Sequence, residues 1–194
     1  MLETLASADQ SLTLYLNHWL SPWLDSFMLY WSSKFTWIPL YGLLLFYLWQ
    51  RGGKKQFLWL LFLLVLLILL SDQTASAVFK PLFQRLRPCH DPALLPHLRL
   101  PDGCGSRFGF ASSHAANTMA LAVFFALLPA PMRSRSLGLA LFFWALVSGW
   151  SRIYLGYHFA GDVVCGFAIG AFWASALHLL AGRRRLFDEK SAAA

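Results

Sequence analysis

Residues 56–79 read QFLWLLFLLVLLILLSDQTASAVF. A helix that spans a bilayer needs about 20 mostly apolar residues, and this stretch meets the requirement with room to spare. Segments 35–50 (FTWIPLYGLLLFYLWQ), 113–129, 136–153 and 159–181 share its character. The segment at 35–50 is short for a span unless it extends back through Lys34 or tilts little. WALVSGW closes the 136–153 segment with the Trp residues expected near a lipid–water boundary. The whole chain fits the same reading. Its 194 residues are 58% hydrophobic and only 13% charged, with 9 Trp. A charged share near 25% is usual in soluble domains.

The expected fold is therefore all-α: an integral membrane helical bundle of five or six transmembrane helices. Its transmembrane domain covers 34–182. Before it, LTLYLNHWLSPWLDSFMLYW mixes aromatic residues with Asn17, His18, Pro22 and Asp25. Residues 1–33 thus read as an interfacial N-terminal helical segment of one or two helices, with an irregular sixth span as the alternative. Residues 183–194, a polar stretch, form the expected cytoplasmic tail. MLETLASADQ has neither the basic leader nor the apolar core of a signal peptide, so the later apolar segments are expected to direct insertion.

The net charge of +7 is concentrated in short loops. That placement fits a membrane topology signal and anionic ligands better than a nucleic-acid stripe. With five spans counted, Arg51, Lys54, Lys55, Arg133, Arg135, Arg183, Arg184, Arg185 and Lys190 fall on one side. The positive-inside rule makes that side cytoplasmic. The loop 80–112 and the turn 151–158 then share the opposite face.

Three polar clusters meet on that face: KPLFQRLRP (80–88), FASSHAAN (110–117) and SRIYLGYHFAGD (151–162). His158 and Asp162 are four residues apart, one helical turn if the last span begins near His158. Asp162 can then fix the tautomer of His158 and leave its other ring nitrogen free to attack. His114, from another helix, suits a general acid. Lys80, Arg87 and Arg152 can hold a tetrahedral dianion, and phosphoryl transfer asks mainly for such positioning and charge neutralisation. Main-chain N–H groups of Ser112 to His114, at a helix start, would add donors. Taken singly, each residue has a plainer use as a headgroup contact, an interfacial histidine or a helix-end acid. Those uses do not explain why all three clusters share one side.

These residues resemble the superfamily of type-2 phosphatidic acid phosphatases, bacterial acid phosphatases and vanadium haloperoxidases. Its signature is K-x6-RP, then PSGH, then SR-x5-H-x3-D. KPLFQRLRP and SRIYLGYHFAGD match the first and third parts in full. The second is ASSH here, with Ala111 in place of Pro and Ser113 in place of Gly. The resemblance implies that His158 forms a phosphohistidine supported by Asp162. It implies that His114 protonates the leaving group and that Lys80, Arg87, Arg152 and Ser112 bind phosphate. Ser113 can still offer its N–H and adds a hydroxyl, so it joins the expected phosphate site. No metal or other cofactor is implied.

The function expected is a membrane lipid phosphatase acting at the periplasmic face of a bacterial inner (cytoplasmic) membrane. Undecaprenyl diphosphate is the favoured substrate, with phosphatidylglycerol phosphate and lipid A phosphates as alternatives. A binding or transport protein that has lost catalysis is the alternative of another class. The expected partners are a lipid phosphate and the bilayer. Cys89 and Cys104 share the outer loop, and a disulfide between them is expected in an oxidising compartment. Cys165 reads as a packing residue. Asp72, inside the second span, is expected to support the site. Asn117 is expected either to orient His114 or to tie helices together. His90, His97 and Asp91 match no strong metal pattern.

Overall fold

The structure is a computed structural model and describes residues 2–18, 21–130 and 132–183; the expected tail beyond Arg183 and the side chain of Arg183 lie outside the described residues. Seven α-helices follow one another among these: α1 Leu2–Asn17, α2 Pro22–Ser32, α3 Ile38–Gln73, α4 Lys80–Phe83, α5 Ser113–Ala126, α6 Arg135–Tyr154 and α7 Ala160–Arg183. A π-helical stretch, Thr74–Phe79, joins α3 to α4. Among the described residues, three helical segments are long and apolar enough to cross a membrane: Lys34–Phe83, Arg135–Tyr154 and Ala160–Ala181.

The first of these contains both spans expected at 35–50 and 56–79. Gly53 sits at φ 63 and ψ 176, outside helical geometry, in a region that glycine enters without steric cost. The chain reverses there. The rings of Trp49 and Phe57 lie 5.3 Å apart, whereas eight residues of continuous helix would advance about 12 Å. Before the reversal, Trp37 packs on Trp144 and the Tyr47 hydroxyl donates to the Met132 carbonyl. After it, Leu60 and Leu63 pack beside Leu127 and Leu128, and Thr74 reaches Trp173 further along. The expected RGGKK loop is thus a tight hairpin with helical flanks. It lies at the same end of the bundle as the loop carrying Arg133.

The expected span at 113–129 is the shortest of the helices that run between the two ends of the bundle. α5 has 14 residues and covers about 21 Å, short of a hydrocarbon core about 30 Å thick. It is the centre of the bundle, packed by α3, α6 and α7. A helix buried on every side is as apolar as one facing lipid, so hydropathy alone does not separate the two. The outer helices present Phe46, Phe62, Val65, Leu139, Phe143 and Phe172 outward. Apolar exposure on that scale belongs in lipid.

α5 packs most closely against α7. GFAIG (166–170) in α7 supplies the contact: a Cβ on Gly166 would lie 2.4 Å from the Ser112 carbonyl oxygen, and one on Gly170 would lie 2.1 Å from that of Ala116. Glycines four apart let two helix backbones approach until only main-chain atoms separate them. Because Asp162 lies one turn before Gly166, this contact brings the start of α5 to the start of α7.

The N-terminal segment forms two helices. Asp9, Thr13 and Asn17 recur every fourth residue and so form one stripe on α1. That stripe faces protein. Thr13 and Asn17 are fully buried, and Asn17 bonds to the Arg99 main chain and the Tyr154 carbonyl. Asp25 of α2 holds Arg99 at 2.8 Å and accepts from the Tyr154 hydroxyl. Asn17 and Asp25, two of the polar residues that break the hydropathy of 1–33, are thus ties to the bundle.

Candidate active site

The three polar clusters converge at the end of the bundle opposite the Gly53 hairpin. Ser112 caps α5, its hydroxyl accepting from the Ala115 N–H at 3.4 Å. Its own N–H donates to the Asp162 carbonyl at 3.0 Å. That corrects one expectation: the Ser112 N–H is committed to α7, so Ser113 and His114 are the residues whose main chain opens α5 toward the site.

His158 precedes α7 instead of lying on it. The turn that carries it is held from behind, since the N–H groups of Tyr157 and His158 both donate to the Arg152 carbonyl. The His158–Asp162 pair therefore forms across a helix start. Nδ1 of His158 lies 3.4 Å from Oδ2 of Asp162, and both side chains are buried. The same Oδ2 accepts the Phe159 N–H at 3.1 Å. Burial holds the His158 ring well below the usual imidazole range, and the positive charges of Arg87, Arg152 and Lys80 push the same way. A hydrogen bond to the Gly109 main chain opposes them. The imidazole is thus neutral near pH 7, with a lone pair available for attack.

Arg87 is buried and fixed by the loop that follows it. Its Nη2 donates to the Ser106 hydroxyl at 3.0 Å, and its main-chain N–H donates to the Arg107 carbonyl at 3.0 Å. Cys89 and Cys104 are joined by a disulfide that closes this loop. His90 bonds the Gly105 carbonyl at 3.0 Å. Cys89, His90 and Cys104 are clustered closely enough to suggest a metal site, but both sulfurs are in the disulfide. Arg152 donates to the Ser32 hydroxyl and stacks 4.4 Å over the Tyr157 ring. Tyr157 in turn donates to Asp102. Burial and the Asp102 carboxylate raise the Tyr157 phenol to about 12, so it stays a donor.

Two polar atoms here are buried and have no partner among the described residues: Nε2 of His114 and Nε of Arg152. Buried donors and acceptors are normally satisfied, so each marks a place where a ligand or water would bind. Asn117 does not orient His114 through its amide nitrogen, which donates to Asp72 at 3.2 Å. Asp72 and Asn117 link α3 to α5 beneath the site. A cavity of about 540 Å³ opens beside Arg87 and Arg152, bounded by Ser32, Lys34, Asp102 and Tyr157.

Sequence reasoning did not single out Arg85. Its Nη1 lies 2.8 Å from Asp162 Oδ1 and its Nη2 lies 2.6 Å from Asp9 Oδ2. Its spacing from Arg87 was the only available signal: residues two apart leave a bend on different sides, so the two arginines of RLR serve different partners.

A buried His–Asp pair with Arg87, Arg152 and Lys80 around it, at one end of an apolar helical bundle, is a donor set suited to phosphoryl transfer at a membrane. Comparison with known proteins gives the particular lineage. The PAP2 superfamily model matches residues 58–186, and the chain belongs to that superfamily. A lipid A 4'-phosphatase of Bacteroides thetaiotaomicron is 36% identical over 174 residues, covering 89% of this chain and 76% of that protein. The crystal structure of Aquifex aeolicus LpxE superposes with a TM-score of 0.66 at 25% identity, covering 86% of this chain and 92% of that one. The first transmembrane PAP2-type phosphatidylglycerolphosphate phosphatase from Bacillus subtilis gives a TM-score of 0.69 at 22% identity, covering 93% and 87%. The latter shows the shared fold. The protein is a multi-pass membrane lipid phosphatase, a phosphoric monoester hydrolase.

Proposed function

We propose that the protein is a lipid A 4'-phosphatase working through a phosphohistidine. The observation that carries the chemistry is the neutral, buried His158 beside Asp162, with Arg87, Arg152 and Lys80 around it. With Nδ1 turned to Asp162, Nε2 of His158 attacks phosphorus. The bond from phosphorus to the sugar oxygen breaks, and His114, entering as the imidazolium that the bound phosphate dianion favours, gives that oxygen its proton. His114 then takes a proton from water, whose oxygen attacks the phosphohistidine, and inorganic phosphate leaves. Lys80, Arg87, Arg152 and the main chain of Ser113 and His114 at the α5 start bind the phosphoryl oxygens. The donors fixed in a buried site stabilise charge as it builds.

Substrate choice is supported by the lipid A 4'-phosphatase relative and by the cavity. Ser32, Lys34, Asp102 and Tyr157 give the space beside the cations a polar boundary. Hydroxyls and a carboxylate match the rim of a sugar headgroup. A polyprenyl diphosphate would place its second phosphate there instead, so the choice between the two rests on the lipid A 4'-phosphatase relative. The lipid A reading is therefore better supported than undecaprenyl diphosphate. The domain division at 34 and 183, the inner-membrane location and the periplasmic orientation of the site belong to the same proposal. The orientation is supported by Arg51, Lys54, Lys55, Arg133 and Arg135, which lie at the other end of the bundle.

The test is phosphate release in detergent from lipid A, undecaprenyl diphosphate and phosphatidylglycerol phosphate. The expected result is a kcat/KM for lipid A at least tenfold above the others. Ser32→Ala should narrow that preference. Equal rates on all three, or a preference for the polyprenyl substrate, would remove the lipid A assignment and leave the phosphatase chemistry standing.

A further inference from the structure

Arg85 stands inside the K-x6-RP stretch yet turns away from the other motif cations. Its guanidinium forks between two carboxylates, Asp162 at 2.8 Å and Asp9 at 2.6 Å, and lies 4.0 Å over the Phe159 ring. A planar fork with paired donors suits this bridging geometry, and a single ammonium cannot reproduce it. Asp9 has a second use: its Oδ1 accepts the Gly161 N–H at 2.8 Å. One turn along α1, the Thr13 hydroxyl accepts the Ala160 N–H at 3.0 Å and donates to the Asp9 carbonyl at 2.7 Å. The opening amides of α7 are therefore capped by another helix. A helix start has free N–H groups that need such partners.

The chain of contacts runs Asp9, Arg85, Asp162, His158. Asp162 Oδ1 is taken by Arg85 and Oδ2 faces His158. At 3.4 Å the last contact is at the outer limit of a hydrogen bond. A small rotation of the carboxylate would lose it. Both groups of contacts from α1 act on residues 160–162, and α1 lies before the 58–186 region that the family model matches.

We propose that Arg85 and Asp9 are positioning residues for the His158–Asp162 pair, so that helix α1 is part of the catalytic apparatus. This rests on the reading of His158 as nucleophile. Arg85 gives both of its terminal nitrogens to carboxylates, so its loss acts on turnover and leaves phosphate binding in place. Arg85→Lys and Arg85→Gln should each lower kcat about 10²-fold, the cost of a misplaced reacting group, with KM unchanged. Asp9→Asn should lower kcat on the order of tenfold, again at constant KM. Because both act through one contact chain, Arg85→Gln with Asp9→Asn should be no slower than Arg85→Gln alone.

The experiment is steady-state phosphate release from lipid A in detergent, on variants shown monodisperse by gel filtration, with Arg87→Gln and His158→Ala alongside. Arg87→Gln should raise KM. An Arg85 variant that raises KM in the same way would make it a phosphate ligand and overturn the proposal. So would Arg85 and Asp9 effects that multiply, or wild-type turnover in Asp9→Asn. If Arg85→Gln does not yield folded protein, Arg85→Lys and Asp9→Asn decide the matter. Phosphate release that survives in His158→Ala would instead overturn the nucleophile reading, a separate failure.

Discussion

In the packed core toward the hairpin, Leu60, Leu63, Leu128 and Leu177 close on one another around a gap of about 20 Å³. At the other end, Arg87, Arg152 and Tyr157 border about 540 Å³. The first region is filled with branched side chains in van der Waals contact. The second holds charged groups fixed by specific hydrogen bonds and two buried atoms with no partner. Where packing supplies the stability, individual residues are exchangeable at a thermodynamic cost. Where geometry supplies the chemistry, stability is left unspent on the site, and the same size of change removes function.

The sharpest break of that comparison is His158→Ala. Phosphate release should fall by about 10⁴-fold or more, because the covalent route is lost, while the melting temperature stays near wild type. Loss of melting temperature with retained turnover would place His158 in the packed class. The reverse case is Leu60→Ala in the packed end. A truncated, fully buried leucine costs about 2–5 kcal/mol, to be read as a lower melting temperature in detergent with kcat/KM preserved.

A smaller effect sharpens the site's half. His158 is held below the usual imidazole range by burial, and by Arg87, Arg152 and Lys80. It is neutral above its lowered pKa, so lowering the pH through 6.5 should not protonate it. Removing a cation raises that pKa, and protonation then begins at higher pH. Arg152→Gln should therefore move the acid limb of kcat/KM upward by about one pH unit. An unmoved acid limb would mean that another group sets it.

Much of this was legible in the sequence, for identifiable reasons. The apolar runs gave the helices, since lipid exposure and burial both demand them. The K-x6-RP and SR-x5-H-x3-D spacings gave the cations and the His–Asp pair. What stayed hidden depends on distances between segments far apart in the chain. That α5 is short and enclosed by its neighbours stayed hidden, because burial among helices imitates lipid in hydropathy. Asn17 and Asp25 looked like surface breaks because their partners, Arg99 and Tyr154, are remote in sequence. Arg85 was passed over because a motif names positions without saying which way each side chain turns. Asn117 pairs with Asp72 across 45 residues, a contact that spacing within one helix could not reveal.

The GFAIG contact has a mechanical consequence. A bilayer that thickens or thins makes its helices tilt, and helices separated by large side chains can slide past one another as they do. α5 and α7 touch backbone to backbone at Gly166 and Gly170, so they tilt as one body. The helix carrying His114 and the helix that follows His158 thus keep their relative position whatever lipid surrounds them. The reacting geometry is insulated from the thickness of the membrane it works in.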